Sequence, residues 1–304
     1  MRVRLENHYT YEEFEDIMEE LISGHGGILT RQVIGQSNDE RPIYMLTLGM
    51  GSQSLICTAG VHGRETINSI LMLSMIEEYI IAYENKECIE GDDIFSLLHT
   101  YSIHIIPILN PDGYVIATEG FRKIRNPNLR HAAIMMNISH EYWKYNGRGV
   151  DINRNFAAVS YIQQRPCEYP NSEPETKALI SVFHNTDSIA YLDFHARGRI
   201  IYYYRYSMPY LYNEKQYKVA KYIQELTHYE LGKREEELLS RAAGGSTVHY
   251  YSENFERPAI TVETLEEEVH FPIAVSKWKE AFSKIHTIPL GLLAMHHLEY
   301  CNQK

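Results

Sequence analysis

Apolar positions recur along this chain of 304 residues with two spacings, one helical and one alternating or continuous as in strands. Thr10 and Glu13 form a capping-box pattern before the first helical stretch, which we predict to end at the glycines of 24–27. Further helices are predicted at 68–82, 173–183, 214–227 and 275–300. Strands are predicted at 32–35, 42–49, 54–59, 101–109, 188–194, 200–206 and 259–263.

This alternation of strands and helices predicts an α/β fold, with a mixed, mostly parallel twisted sheet and helices on both faces. Neither an internal repeat nor a Pro/Gly/Ser-rich linker interrupts the pattern, so we expect residues 1–304 to form a single domain. The run 110–113 (NPDG) predicts a turn. Residues 114–148 show no sheet pattern and are too long for a plain connection, which makes them a candidate functional loop.

Charge and composition narrow the classes of partner. The chain has 29 Lys and Arg against 40 Asp and Glu, a net charge of −11, which argues against general binding to nucleic acid or anionic membranes. No apolar run reaches the length of a membrane span, and the amino-terminal residues lack the apolar core of a secretion signal. We therefore expect no membrane partner and a cytoplasmic location, and we leave the oligomeric state open.

Reactive side chains stand where predicted strands end. His62 and Glu65 follow strand 54–59, His195 follows strand 188–194, and Glu263 closes the last strand. In open α/β sheets ligands collect at the carboxyl ends of the strands. Two histidines and a glutamate are a known catalytic zinc set, which leaves a coordination position for water.

Each of these residues also has a structural interpretation. His62 and Glu65 could bond only to the backbone of a turn, and His195 could be a hydrogen-bonded core histidine. Asp193 lies two residues before His195 on the same face of the strand, where it could orient the imidazole as a hydrogen-bond acceptor. A second His-x-x-Glu, at 296–299, is interpreted as a solvated helix face.

Several runs, taken in order, resemble the zinc carboxypeptidases of peptidase family M14. They are IGQS at 34–37, RPI at 41–43, GVHGRE at 60–65, NPDG at 110–113, GVDINRNF at 149–156, DFH at 193–195 and RPAITVE at 257–263. The resemblance implies one zinc ion per chain, bound by His62, Glu65 and His195. It also implies that Glu263 acts as general base and then as general acid.

The resemblance further implies a site for a substrate carboxylate and a cation that stabilises the oxyanion. Asn153 and Arg154 would bind the carboxylate, with Arg154 as a bidentate fork. Arg148 is our candidate for the oxyanion cation, because the run WKYNGR at 143–148 resembles bacterial members. Arg122 and Arg125, in FRKIR, are the alternatives.

The expected activity is that of a zinc-dependent metallocarboxypeptidase, which hydrolyses an amide bond near a free carboxylate of a small peptide. Cell-wall peptides that contain γ-D-glutamyl-diamino acid bonds are one such class, and bacterial relatives cut them. The alternatives are a catalytically silent peptide-binding module and a deacylase of a non-peptide amide. Arg197 and Tyr251 are further candidates for substrate binding, with Tyr250 beside Tyr251 in a predicted loop.

One feature of the sequence departs from the family pattern, and another concerns the distribution of charge along the chain. The digestive members carry a mobile tyrosine shortly before the Gly-Gly-Ser turn, whereas residues 239–243 here contain none. Residues 121–154 carry seven basic and two acidic side chains, a net +5 that leaves −16 for the rest of the chain. We therefore expect an acidic body around a cationic specificity site.

Overall fold

The computed structural model describes residues 3–164, 166, 168–239 and 244–302. Its helices are α1 (Tyr11–His25), α2 (Thr66–Asn85), α3 (Ile94–Thr100), α4 (Pro111–Glu119), α5 (Pro127–Met135), α6 (Pro174–Asn185), α7 (Tyr210–Thr227), α8 (Arg234–Leu239), α9 (Thr247–Phe255), α10 (Trp278–Ile285) and α11 (Ile288–Asn302). Its strands are β1 (Leu29–Gln36), β2 (Pro42–Gly49), β3 (Gln53–Thr58), β4 (Cys88–Ile89), β5 (Asp92–Asp93), β6 (Tyr101–Ile106), β7 (Ser188–Ala196), β8 (Ile200–Tyr202), β9 (Glu230–Leu231) and β10 (Ala259–Thr264).

Eight strands form one mixed sheet in the order β1-β2-β6-β3-β7-β10-β8-β9, while β4 and β5 pair separately. The central strands β6, β3, β7 and β10 are mutually parallel, and the antiparallel pairs lie towards the edges. Thr58 pairs with Asp193 and Glu263 with His195, so the carboxyl ends of β3, β7 and β10 lie side by side. The predicted α/β fold is confirmed, and its topology gathers the candidate residues at one edge.

Helices cover both faces of the sheet. Along β7, Leu192 and Phe194 pack into a core that includes residues of α1, α2, α7, α10 and α11. Tyr191 points to the opposite face and packs with residues of α6 and α9. Side chains alternate along a strand, so His195 shares the face of Tyr191. Burying each large apolar side chain contributes roughly 1.5–3 kcal/mol, and both layers therefore hold the sheet in place.

The prediction of a turn followed by a long loop was wrong. Asn110 is the amino-terminal cap of α4, and Pro111 occupies its first turn, where a missing N–H leaves no bond unmade. The following segment contains α4 and α5 and has its own small core, formed by Ile116, Ile124, Ala133 and Trp143. Polar residues at the ends of these helices interrupt the apolar spacing, so the sequence pattern did not predict the helices.

Several other predicted boundaries also differ, and two of them have a clear physical cause. The helix predicted at 275–300 is divided into α10 and α11, because Pro289 begins a new helix more readily than it continues one. The strand predicted at 200–206 ends at Tyr202. Beyond it, the side chain of Asn213 bonds to both the backbone N–H and the backbone C=O of Arg205, which replaces strand pairing there.

None of the helices in the described ranges is both long and apolar enough to cross a membrane.

Candidate active site

The aligned strand ends bring His62, Glu65 and His195 together. One nitrogen of each imidazole and one carboxylate oxygen of Glu65 lie within 4.8 Å of one another. Within the described part of the chain, this is the only group of three His, Cys, Asp or Glu side chains close enough to bind one metal ion. Glu65 and His195 are buried, so the cluster lies inside the protein rather than on its surface.

Backbone contacts fix the two loops that carry the cluster. Gly63 lies so close to Gly113 that a Cβ at residue 63 would meet the carbonyl oxygen of Gly113 at 2.2 Å, and only glycine fits there. Oε2 of Glu65 accepts a bond from the backbone N–H of Ala196 at 3.1 Å. The side-chain amide of Asn68 donates to the carbonyl of His195 at 2.7 Å. The two strand ends are therefore held to each other.

Both histidines have the same orientation. Nδ1 of His62 lies 2.8 Å from Oε1 of Glu65, and Nδ1 of His195 lies 3.0 Å from Oε2. The Nε2 atoms point outward to carboxylates, 3.2 Å from Asp151 in the first case and 2.9 Å from Asp193 in the second. A carboxylate on the outer nitrogen of a ligating histidine fixes its tautomer and raises its basicity. The donor set therefore fits a zinc ion bound through both Nδ1 atoms and Glu65.

The electrostatics agree with a cation site. Burial lowers the pKa of His62, but the carboxylates of Glu65 and Asp151 outweigh burial, so that the pKa is raised overall. Burial raises the pKa of Glu65, yet His62 and His195 outweigh burial in turn and bring it well below its usual range. Asp193 and Glu65 likewise overcome burial and raise the pKa of His195. The carboxylates of Glu65, Asp151 and Asp193 therefore favour positive charge at the position of the two imidazoles.

Asp193 has more partners than the sequence indicated. It accepts from the hydroxyl of Thr58 at 2.7 Å and also from the hydroxyl of Thr247 at the start of α9. Its expected contact with His195 is present. Asp151 was not singled out from the sequence, although it lies inside the GVDINRNF run that carried the resemblance.

Glu263 lies beside the cluster on the neighbouring strand. It pairs in register with His195, and burial raises its pKa to about 7. It also lines a cleft of 280 Å³ together with Asn153 and Arg154. Oδ1 of Asn153 accepts from the backbone N–H of Thr247 at 3.1 Å, which fixes the amide at the wall of the cleft.

Arg148, the expected oxyanion cation, is directed elsewhere. Its guanidinium is half exposed and bonds to Glu173 at 3.1 Å. Lys144 takes the position beside the cluster, with Nζ 2.6 Å from Oδ2 of Asp151, whose Oδ1 contacts His62. The charges that lower the pKa of Asp151 against its burial are those of His62, Lys144 and Arg154.

The alternatives Arg122 and Arg125 are not brought to the cluster. They line a different pocket, together with residues of α1 and with Arg130. Asn110 contacts the backbone next to His62, but residues 121–125 follow the far end of α4, a nine-residue helix that spans about 13 Å. The basic segment is therefore divided between two places, and the expectation of one cationic site holds only for its part near Asp151.

Tyr251 is not a substrate-binding residue in this structure. It lies on α9 rather than in a loop, is fully buried, and its hydroxyl bonds to the hydroxyl of Ser188. Its ring packs edge-on against Phe183. Tyr250 is buried nearby and bonds to His184 at 3.0 Å, so the strong Ser246 cap that starts α9 turns both tyrosines into the core.

Arg197 follows His195 but does not line the cleft of Glu263. Its guanidinium stacks on Phe271 at 5.7 Å, and Arg64 stacks on the same ring at 4.7 Å. The cleft instead contains Tyr202 and Arg205, which the sequence placed inside a strand. Residues 240–243 belong to the run that lacks the tyrosine of the digestive members, and they lie outside the described residues.

A His-Glu-His set beside a glutamate, at the carboxyl ends of the parallel strands of a mixed sheet, is typical of zinc-dependent hydrolases. Residues 14–281 match the sequence model of the zinc carboxypeptidases, peptidase family M14. The chain belongs to this family.

Individual relatives are distant. The chain is 27% identical over 183 residues to γ-D-glutamyl-L-diamino acid endopeptidase 1 of Lysinibacillus sphaericus, a match that covers 56% of this chain and 46% of that protein. It is 28% identical over 222 residues to human carboxypeptidase A6, covering 68% of this chain and 46% of that protein. The chain thus spans about half the length of the curated relatives it matches.

Solved structures support the fold. Bovine thrombin-activatable fibrinolysis inhibitor, in its complex with tick carboxypeptidase inhibitor, superposes with a TM-score of 0.78 at 19% identity, covering 97% of this chain and 99% of that chain. Murein-tripeptide amidase MpaA from Escherichia coli O157 superposes with a TM-score of 0.51 at 18% identity, covering 86% and 91%.

Proposed function

We propose that this protein is a zinc-dependent metallocarboxypeptidase that hydrolyses an amide bond next to a residue with a free carboxylate. The observation that carries the proposal is the cluster of His62, Glu65 and His195, largely buried, with Glu263 at the adjacent strand end. Arg154 lines the same cleft as Glu263. Glu263 therefore links the candidate metal site, through its pairing with His195, to a cleft that also contains a guanidinium suited to a carboxylate.

The chemistry divides between the metal and the side chains. When bound, the zinc ion would lower the pKa of a water molecule and polarise the scissile carbonyl. Glu263 takes the proton of the attacking water and delivers it to the leaving amine. The pKa of Glu263, about 7 because of burial, suits a group that must both accept and release a proton near neutral pH.

Positively charged groups orient the substrate. Arg154 offers a planar fork that matches a carboxylate, and Asn153 adds an amide donor at the same wall of the cleft. We assign stabilisation of the oxyanion to Lys144 rather than Arg148, because its ammonium is held beside the cluster through Asp151. A preorganised cation at this position acts where negative charge develops in the transition state.

Cell-wall peptides with a γ-D-glutamyl-diamino acid bond are the substrate class that we favour. They are small and rich in carboxylates, which matches Arg154 in the cleft. The Lysinibacillus relative is named for cleavage of such a bond. A carboxypeptidase acting on ordinary peptides, as the name of the human relative indicates, is the comparison that an assay must include.

The test is turnover by zinc-loaded protein and by its Glu263→Gln variant on both peptide classes, measured as amine released. We expect the variant to lose turnover and keep stoichiometric zinc. Glu267→Gln, an exposed neighbour on the same segment, serves as the matched control and should stay active. Zinc-loaded wild type that cleaves neither class would favour a binding module, and an active Glu263→Gln variant would remove Glu263 from its role.

A further inference from the structure

Part of the wall of the cleft beside Glu263 has no role in the proposed mechanism. Arg154 and Asn153 line the cleft, and in the proposed function they hold the terminal carboxylate of the substrate. The side chain of that terminal residue must then enter the remaining space, whose wall includes Tyr202 and Arg205. The volume of 280 Å³ accommodates one amino-acid side chain.

Arg205 is the unusual member of this wall. It is only 1% exposed, and its guanidinium donates to the backbone carbonyls of Tyr204 at 2.7 Å and Ala259 at 3.1 Å. Its Nε–H is buried without an acceptor. No carboxylate of the described residues forms an ion pair with it. Buried charges are normally paired, because an unpaired one loses its hydration without compensation.

The position of Arg205 is fixed rather than adaptable. Asn213, on α7, accepts from the backbone N–H of Arg205 at 2.8 Å and donates to its carbonyl at 2.9 Å. The contact with Ala259 ties the guanidinium to the first residue of β10, the strand that ends near Glu263. A rigid guanidinium at the wall of a substrate-sized cleft, with no carboxylate partner among the described residues, is suited to binding an anionic group that arrives with the substrate.

We propose, building on the proposed carboxypeptidase function, that Arg205 makes this cleft selective for a terminal residue whose side chain ends in a carboxylate. Glutamate and diaminopimelate share that chemistry. Diaminopimelate also carries an ammonium on the same terminal carbon, and Glu236, exposed on α8, lines the cleft and could pair with it. A terminal lysine would instead bring its ammonium towards Arg205.

The first experiment compares peptides that differ only in the terminal residue: Glu, Gln, Leu, Lys and diaminopimelate. Glu and Gln have the same shape, so their ratio of kcat/KM isolates the charge. A charge-assisted bond of this kind predicts a preference for Glu of about 10- to 100-fold, and diaminopimelate should be at least as good as Glu. A preference for Leu, Gln or Lys would overturn the proposal even though hydrolysis itself succeeds.

Variants place the preference on Arg205. In Arg205→Met the Glu-to-Gln ratio should fall to about 1, and in Arg205→Lys it should stay above 1 but below that of the wild type. Because the ratio is measured within one protein, general loss of stability does not change it. If Arg205→Met does not fold, Arg205→Lys remains the test. A Glu-to-Gln ratio in Arg205→Lys that equals the wild-type ratio would show that Arg205 does not recognise the terminal side chain.

Binding separates this inference from the proposed function. Calorimetry of the Glu263→Gln variant with Glu- and Gln-ended peptides should show the same preference without turnover. Preferential binding together with an inactive wild type would leave the cleft assignment standing and contradict the proposed activity. Glu236→Gln should lower the diaminopimelate-to-Glu ratio a few-fold, whereas the exposed neighbour Glu235→Gln should not change it.

Discussion

Replacing Asp193 by Asn should weaken zinc binding while leaving the fold intact. The carboxylate of Asp193 is fully buried 2.9 Å from Nε2 of His195, and it also accepts from the hydroxyls of Thr58 and Thr247. Asn has the same size, and a hydroxyl can accept as well as donate, so only the charge on the outer side of the imidazole is lost. Loss of such a partner lowers metal affinity by roughly 10- to 100-fold, or about 1.4–2.8 kcal/mol.

The pH dependence makes this prediction sharper. Burial lowers the pKa of His195, but Asp193 and Glu65 outweigh burial and raise that pKa overall. Zinc must therefore displace a proton from the imidazole near neutral pH. Asp193→Asn weakens the binding of both the proton and the metal, and the two losses partly cancel at low pH. We therefore expect the loss of zinc affinity to grow as the pH rises.

The assay is competition with a chromophoric zinc chelator at several pH values, alongside thermal unfolding of the metal-free proteins. Asp16→Asn, an exposed carboxylate on α1, is the control for removing one negative charge. Zinc affinity of Asp193→Asn within about twofold of the wild type at high pH would refute the argument that the aspartate supports the ligand.

Three further substitutions test the two cations and one buried carboxyl group. Lys144→Met should lower kcat/KM by about 100-fold in steady-state assays, whereas Arg148→Met, whose partner is Glu173, should stay within about threefold; equal losses would contradict the assignment of the oxyanion cation. Burial, with the charge of Asp112, raises the pKa of Glu175 to about 8, so stability should fall as pH rises from about 4.5 to 8, by up to about 5 kcal/mol. Glu175→Gln should flatten that dependence in pH-dependent denaturant titrations, and an unchanged slope would contradict burial as its cause.

The metal cluster could be predicted from the sequence because its geometry depends on few variables. A buried parallel strand must end at the carboxyl edge, and neighbouring strands end together, so His195 and Glu263 were placed by topology alone. Glu65 entered the set because it stands three residues after His62, at the start of a helix that follows a strand. Local pattern and fold point to the same site here.

The cations could not be predicted in this way. Lys144 and Arg148 lie between short 3-10 turns, where no period determines which side chain points inward. Two tyrosines next to each other suggested a loop over the cleft, but the Ser246 cap starts a helix there and Tyr251 fills the core. Arg205 lies in an aromatic run that resembles a strand, whereas in the structure strand pairing stops at Tyr202 and Asn213 bonds to the backbone of Arg205.

Two buried arginines differ in whether a carboxylate of the chain compensates their charge. Arg41 bonds to the carboxylates of Asp39 and Asp112 at 2.6 and 2.9 Å, so its charge is compensated within the fold. Arg205 is buried as deeply, yet no described carboxylate pairs with it. A chain with a net charge of −11 has no shortage of acidic side chains, so composition does not explain why no carboxylate in the described ranges pairs with Arg205. The carboxylate that would complete Arg205 is then best supplied by the molecule that the cleft binds.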